Sequence, residues 1–214
     1  MTDERRTTPL AGFADAFAAA ACDAVALVER PFLAQIGVRL FGGPDDAGLS
    51  AAEAALGFPL PLVPNTTAGA GGTDALWLGP DEWLVVAPPG SEAALETELA
   101  EALDGLGSVV GLSANRTAIQ VMGPRARDVL AKGCALDLHP RAFGPQRCAQ
   151  TLLGRAPIIL EQLGDDPLAF GLLVRGSFAA YVATWLLAAA EEFSSARASA
   201  DRRQRSVRAT SLNV

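Results

Sequence analysis

Ala75-Leu76-Trp77-Leu78-Gly79-Pro80-Asp81-Glu82-Trp83-Leu84-Val85-Val86-Ala87 decides the fold class. Gly79-Pro80-Asp81-Glu82 is a turn between two apolar runs, so the stretch reads as a β-hairpin. In the second run Trp83 and Val85 share one face, and Leu84 and Val86 share the other. Apolar residues on both faces predict a covered, central strand. Pro88, Pro89 and Gly90 end it. Asp81 and Glu82 are turn formers and solvated acids. As neighbours in an extended chain they point to opposite faces, so they do not make a proton-sharing pair. Trp77 and Trp83 bracket the turn as core or interface aromatics.

Before the hairpin, Ala34–Phe41 reads as a strand with Ile36, Val38 and Leu40 on one side. Leu49–Leu56 suits a short helix closed by Gly57, and the proline-bearing stretch 58–68 suits a loop. After the hairpin, Ser91 is placed to cap a helix whose stripe is Leu95, Leu99, Ala102 and Leu103. A second cycle follows. Arg116–Val121 alternates as a strand. Pro124 opens a helix with Ala126, Val129 and Leu130 inward. Cys148–Leu153 and Pro157–Leu163 pair around Gly154, and Ala169–Val174 is a further strand. Ser177 caps a final helix with the stripe Phe178, Tyr181, Val182, Trp185, Leu186 and Ala189.

The expected fold class is α+β. Two loosely repeated strand-helix units, 34–104 and 115–193, carry mostly antiparallel or mixed sheets with helices on one face. The repeat rests on element order alone. Together the units form one domain over 26–193. Residues 1–25 are expected to be a flexible arm and 194–214 a disordered basic tail. Arg5-Arg6 ahead of the alanine-rich run to Val28 imitates an export leader. Asp3, Glu4, Asp15 and Asp23 spoil it, and the run is too short to span a bilayer. No membrane association is expected.

Composition limits the function. The 214 residues are 50% hydrophobic and 19% charged, which excludes global disorder. A net charge of −7 disfavours nucleic acid as a partner. The three cysteines, Cys22, Cys134 and Cys148, are too few for a disulfide framework and suit a reducing, cytoplasmic compartment. Charge is unevenly spread. From Leu40 to Asn115 there are eleven acids and no Lys or Arg, a pattern that suits self-complementarity between the halves, an acidic face for a basic partner, or an ordinary solvated surface.

Catalytic signals are thin. His139 is the single histidine, and no spacing supports a zinc site. No nucleophile elbow and no dinucleotide-binding glycine motif occur in the right context. Cys134 with His139 reads as a buried inert thiol beside a structured loop. Arg116, next to Asn115, and Arg175, before Gly176, sit at strand edges in apolar surroundings. Each can pair with a carboxylate, in a structural ion pair or on a partner. No catalytic, cofactor-binding or metal-binding residue is assigned. The interface or structural candidates are Trp77, Asp81, Glu82, Trp83, Asn115, Arg116 and Arg175.

Several segments together resemble the gamma-subunit family of bacterial heterotetrameric sarcosine oxidases. They are 76–85, Leu112-Ser113-Ala114-Asn115-Arg116-Thr117, the long run from Val121 to Leu138, Arg147-Cys148-Ala149-Gln150-Thr151 and Leu173–Phe178. Gly123-Pro124-Arg125-Ala126-Arg127-Asp128 is also similar to the wider aminomethyltransferase family of the glycine cleavage system. The resemblance implies a fold like the folate-binding domain of that aminomethyltransferase, the T-protein. It implies a non-catalytic subunit that stabilises an assembly with alpha, beta and delta subunits. That assembly demethylates sarcosine to glycine, passing the one-carbon unit to tetrahydrofolate and electrons to oxygen. FAD, FMN, NAD, tetrahydrofolate and zinc are implied for the partner subunits and none for this chain. The alternative is a free-standing, folate-binding aminomethyltransferase-like protein.

Overall fold

In the computed structural model, residues 6–42 and 47–211 are described, with side chains as far as Phe193 in the last helix. A 3-10 turn, Ala11–Phe13, leads into α1 (Ala14–Ala20), then β1 (Ala26–Arg30), β2 (Ala34–Leu40) and α2 (Ala47–Leu56). Next come β3 (Thr67–Ala70), β4 (Thr73–Gly79), β5 (Glu82–Ala87), α3 (Glu92–Ala102) and β6 (Gly107–Gly111). The chain continues through β7 (Arg116–Met122), α4 (Ala126–Ala131), β8 (Cys148–Leu153), β9 (Ala156–Asp165), β10 (Leu168–Arg175) and α5 (Gly176–Ser211).

The fold is α+β with two antiparallel five-stranded sheets, ordered β3-β4-β5-β2-β6 and β1-β7-β10-β9-β8. Strand β5 lies at the centre of the first sheet, as the two-faced hydrophobicity of 83–87 predicts. Trp83 and Val85 pack with Ile36, Val38, Leu99 and Leu103 under α2 and α3. Leu84 and Val86 face the other way, against Ala118, Ile159 and Leu173 of the second sheet. The second sheet's far face packs with Phe17, Val129, Leu130, Val182 and Leu186 from α1, α4 and α5. Four layers result: helices, sheet, sheet, helices. Each large aliphatic side chain buried in these three cores contributes about 1.5–3 kcal/mol.

Most expected elements are present, with specific departures. Residues 8–25 are no flexible arm. Leu10 and Phe17 are 1% and 5% exposed within the α5-side core. Glu29 ties the segment down by accepting hydrogen bonds from Thr8 Oγ1 and Thr117 Oγ1, both at 2.7 Å. Alanine-rich composition hid these two anchors. Strands β1, β3 and β6 were not expected. The last two are short edge strands, Thr67-Ala68-Gly69-Ala70 and a Val109-Val110 pair flanked by glycines, and pairing with a neighbour defines them.

Ser91 does not cap α3. Its Oγ donates to the Pro88 carbonyl at 2.7 Å, so it closes the preceding turn instead. Helix α4 starts at Ala126, after Pro124, and α5 starts at Gly176, which puts Ser177 inside its first turn. Tyr181 is 41% exposed, and the buried stripe of α5 runs through Ala179, Val182, Ala183 and Leu186. The expected disordered tail, 194–214, lies outside the residues whose side chains are described. Among the described residues no helix is long and apolar enough to cross a membrane.

Candidate functional site

The layer between the two sheets positions the charged residues of interest. Along β7 the odd-numbered Thr117, Ile119 and Val121 are buried, the last two in the helix-side core, while Ala118 faces the first sheet. Alternation therefore turns Arg116 and Gln120 toward the inter-sheet layer as well. On β10, Arg175 alternates with Leu173 in the same way. One end of the layer carries arginines and the other carries acids.

At the basic end, Arg116 and Arg175 are direct cross-strand partners. Arg116 is half-buried, and its Nη1 is fully buried with no hydrogen-bond partner. Neither arginine is in an ion pair with a described residue, so the structural ion pair expected for them is not formed. Burial, and then the Arg175 charge, push the Arg116 guanidinium below its ordinary value, while Glu82 opposes them. Beneath it lies Gln35, 1% exposed, whose Nε2 donates to the Arg116 carbonyl at 3.0 Å and whose Oε1 is also unpartnered. A shallow cavity of about 80 Å³ joins the two arginines to Gln150 and Pro157. Two guanidinium groups beside one cavity supply donors that a carboxylate can accept from.

Exposed Asn115 frames this end. Its N–H donates to Leu112 O at 2.9 Å, and its carbonyl accepts the Gly176 N–H at 3.2 Å, fixing the 112–115 turn to the start of α5.

The hairpin is less exposed than an interface reading requires. Trp83 is 0% exposed and donates Nε1–H to the Pro61 carbonyl at 2.8 Å. It is a core residue that pins the 58–66 loop. Trp77, its cross-strand neighbour, is half-buried against the same core. Asp81 accepts from Arg39 Nε at 3.1 Å, and its carbonyl accepts the Leu40 N–H at 2.9 Å, tying the turn to β2. Glu82 is exposed and lies opposite Arg39.

At the acidic end Glu161 is 8% exposed, and its carboxyl has no hydrogen-bond partner among the described residues. Burial, reinforced by Asp74 and eased by Arg30, pushes Glu161 up to about 7. Burial also raises Asp74. Both acids line a cavity of about 230 Å³ between the sheets. Sequence reading missed Glu161, although an acid inside Pro157-Ile158-Ile159-Leu160-Glu161-Gln162-Leu163 was the available signal.

The thiols and the imidazole do not assemble. Cys148 donates to Thr66 O at 3.3 Å, and its thiol is pushed up to about 12, chiefly by burial and then by Glu161. Cys134 lies 4.0 Å from Thr151 Oγ1, and His139 Nδ1 accepts from the Arg141 N–H at 3.2 Å. Among the described residues no three His, Cys, Asp or Glu side chains form a metal-binding group.

Residues 42–192 match the model of the sarcosine oxidase, gamma subunit family. The chain is 44% identical to a sarcosine oxidase subunit gamma from Arthrobacter sp., over 89% of this chain and 92% of that one. It is 41% identical to the subunit of the same name from Corynebacterium sp. strain P-1, with the same coverage. Among solved structures, it aligns with a chain of the heterotetrameric sarcosine oxidase from Corynebacterium sp. U-96 in complex with pyrrole 2-carboxylate. The TM-score is 0.81 and the identity 41%, over 88% of this chain and 96% of that one. The aminomethyltransferase T of the glycine cleavage system from Bartonella henselae aligns at a TM-score of 0.58 and 19% identity. That alignment spans 78% of this chain and 46% of that one, and it is a likeness of fold.

Proposed function

The chain belongs to the sarcosine oxidase gamma subunit family, and we propose that it acts as the non-catalytic, assembly-stabilising subunit of a cytoplasmic alpha-beta-gamma-delta complex. That complex demethylates sarcosine to glycine, transfers the one-carbon unit to tetrahydrofolate and reduces oxygen to hydrogen peroxide. FAD, FMN, NAD, tetrahydrofolate and zinc sit in the alpha, beta and delta subunits. The described part has no donor cluster for zinc, and its strand-to-helix turns carry no GxGxxG pattern to hold a dinucleotide pyrophosphate.

The observation that carries the docking role is Arg116 Nη1, buried without a partner beside Arg175. A buried donor without an acceptor costs about 1–3 kcal/mol. A partner carboxylate seated across the pair restores the missing bonds and separates two like charges. Asn115 and Glu82 flank that contact. Trp77 and Asp81 stabilise the hairpin behind it, and Trp83 belongs to the core.

Co-expression with the other subunits, followed by affinity capture and mass measurement, tests the reading. Stoichiometric recovery of this chain with the flavin-bearing subunits supports it. Recovery of the chain alone, with saturable folate binding and aminomethyl transfer, points instead to the free-standing aminomethyltransferase-like alternative.

A further inference from the structure

We propose that the cavity between the two sheets is a socket for the guanidinium or ammonium group of a basic side chain from a neighbouring subunit, held by Glu161 and Asp74. This inference rests on the subunit reading above and deepens it by assigning a second contact of opposite charge.

The geometry is that of a socket waiting for a cation. Glu161 is buried beyond nine-tenths, lines the cavity and has no hydrogen-bond partner among the described residues. Its cross-strand neighbour Gly171 leaves the room it occupies, because a Cβ at 171 would come within 2.7 Å of Glu161 Oε1. Asp74 enters from β4 of the opposite sheet. Leu33, Val86 and Ala118 supply apolar walls that suit the methylene stem of Lys or Arg. The lining residues Gly72, Pro88 and Pro89 are exposed, so a side chain can enter from outside.

No ion pair joins either acid to a described residue, and Arg30 acts on Glu161 only as a nearby charge. Arg30 is the one base in the lining, and its Nη1 donates to Gln120 Oε1 at 3.5 Å rather than to either acid. The first sheet's wall comes from the stretch 40–115, which contains eleven acids and no Lys or Arg. A desolvated carboxylate without a partner is unfavourable, and a complementary charge from a partner corrects that. A small free amine shares this chemistry. A partner side chain is favoured because the surrounding half of the chain is acidic and its relative of known structure works in a heterotetramer.

Proton linkage gives a signature that mere packing lacks. The groups facing Glu161 are Asp74 on β4, Arg30 on β1 and Cys148 on β8. In the free chain the carboxyl holds its proton up to about pH 7. A docking cation favours the carboxylate, so the proton passes to buffer as the contact forms. No bond other than that O–H is broken.

The test uses the full-length chain and the co-expressed remaining subunits, titrated calorimetrically at pH 6 and pH 8 in buffers of different ionisation enthalpy. For the wild type, assembly is expected to be up to about tenfold tighter at pH 8 than at pH 6 and to release protons near pH 7. Glu161→Gln and Asp74→Asn, each first verified as folded by circular dichroism, should bind about tenfold more weakly at pH 8. Glu161→Gln should also abolish the proton release. Wild-type-like affinity and proton release in Glu161→Gln overturn the socket while leaving the subunit reading intact. Failure of the wild type to assemble at either pH overturns the subunit reading itself. Micromolar binding of methylguanidinium by the isolated chain, with assembly indifferent to Glu161, makes the cavity a small-molecule site and overturns the partner assignment.

Discussion

Arg116 and Arg175 face each other across the β7–β10 ladder, and neither is paired with a carboxylate of a described residue. Like charges directly opposite in a sheet cost roughly 0.2–1 kcal/mol. Arg175→Gln should therefore leave the isolated chain equally or slightly more stable, by up to about 1 kcal/mol in urea denaturation. The same change should weaken assembly by roughly tenfold, about 1.4 kcal/mol, if a partner acid uses the pair. Lower stability with unchanged assembly would make Arg175 a structural residue of this chain alone.

Stability should depend on pH through Glu161. A carboxyl raised from 4.5 to about 7 on folding keeps its proton longer in the folded than in the unfolded chain. Its contribution is thus fully present below about pH 4.5 and is lost as pH rises to about 7. The loss is on the order of 3 kcal/mol. Urea midpoints across this range should fall for the wild type more steeply than for Glu161→Gln. Parallel curves would show that the carboxyl is solvated.

Two single substitutions separate the core role of Trp83 from an interface role. Trp83→Ala should cost about 3–5 kcal/mol by opening a cavity under α2 and α3. Trp83→Phe, which removes the Nε1–H donor to Pro61 and shrinks the buried ring, should cost at least about 1 kcal/mol. Thermal melts of the isolated chain suffice to measure both. No change in melting with loss of assembly would return Trp83 to the surface.

The amino-terminal segment makes a further prediction, because Phe17 packs in the same core as Val182 and Leu186. Phe17→Ala should destabilise the isolated chain by about 3–5 kcal/mol. An unchanged melt would mean that the segment is the free arm its composition suggests.

Gly154 joins β8 to β9 with a φ of +58°, and a Cβ there would sit 2.5 Å from Tyr181 Oη. Gly154→Ala is therefore expected to cost about 1–3 kcal/mol, from backbone strain and overlap together. Differential scanning calorimetry of the variant checks it.

These particulars show what could be read in the chain and what could not. Strand β5 was legible because both of its faces are apolar, and two covered faces mean a central strand. Strands β3 and β6 were not, since Thr67-Ala68-Gly69-Ala70 and Gly107-Ser108-Val109-Val110-Gly111 gain their form from pairing to β4 and β2. Arg116 and Arg175 stood out as bases in apolar strands. That they oppose each other depends on a register between segments nearly sixty residues apart, which no local pattern encodes. Glu161 and Asp74 meet only because two sheets stack face to face, so neither could be matched to the other beforehand.

The central claim is that this chain works as a docked, non-catalytic subunit. Native mass measurement of the co-expressed oxidase, with and without this chain, tests it most directly. The account predicts one copy of this chain in a four-subunit particle, and a less stable particle when it is omitted. A complete, stable and active particle assembled without it, with this chain eluting alone, would contradict the account.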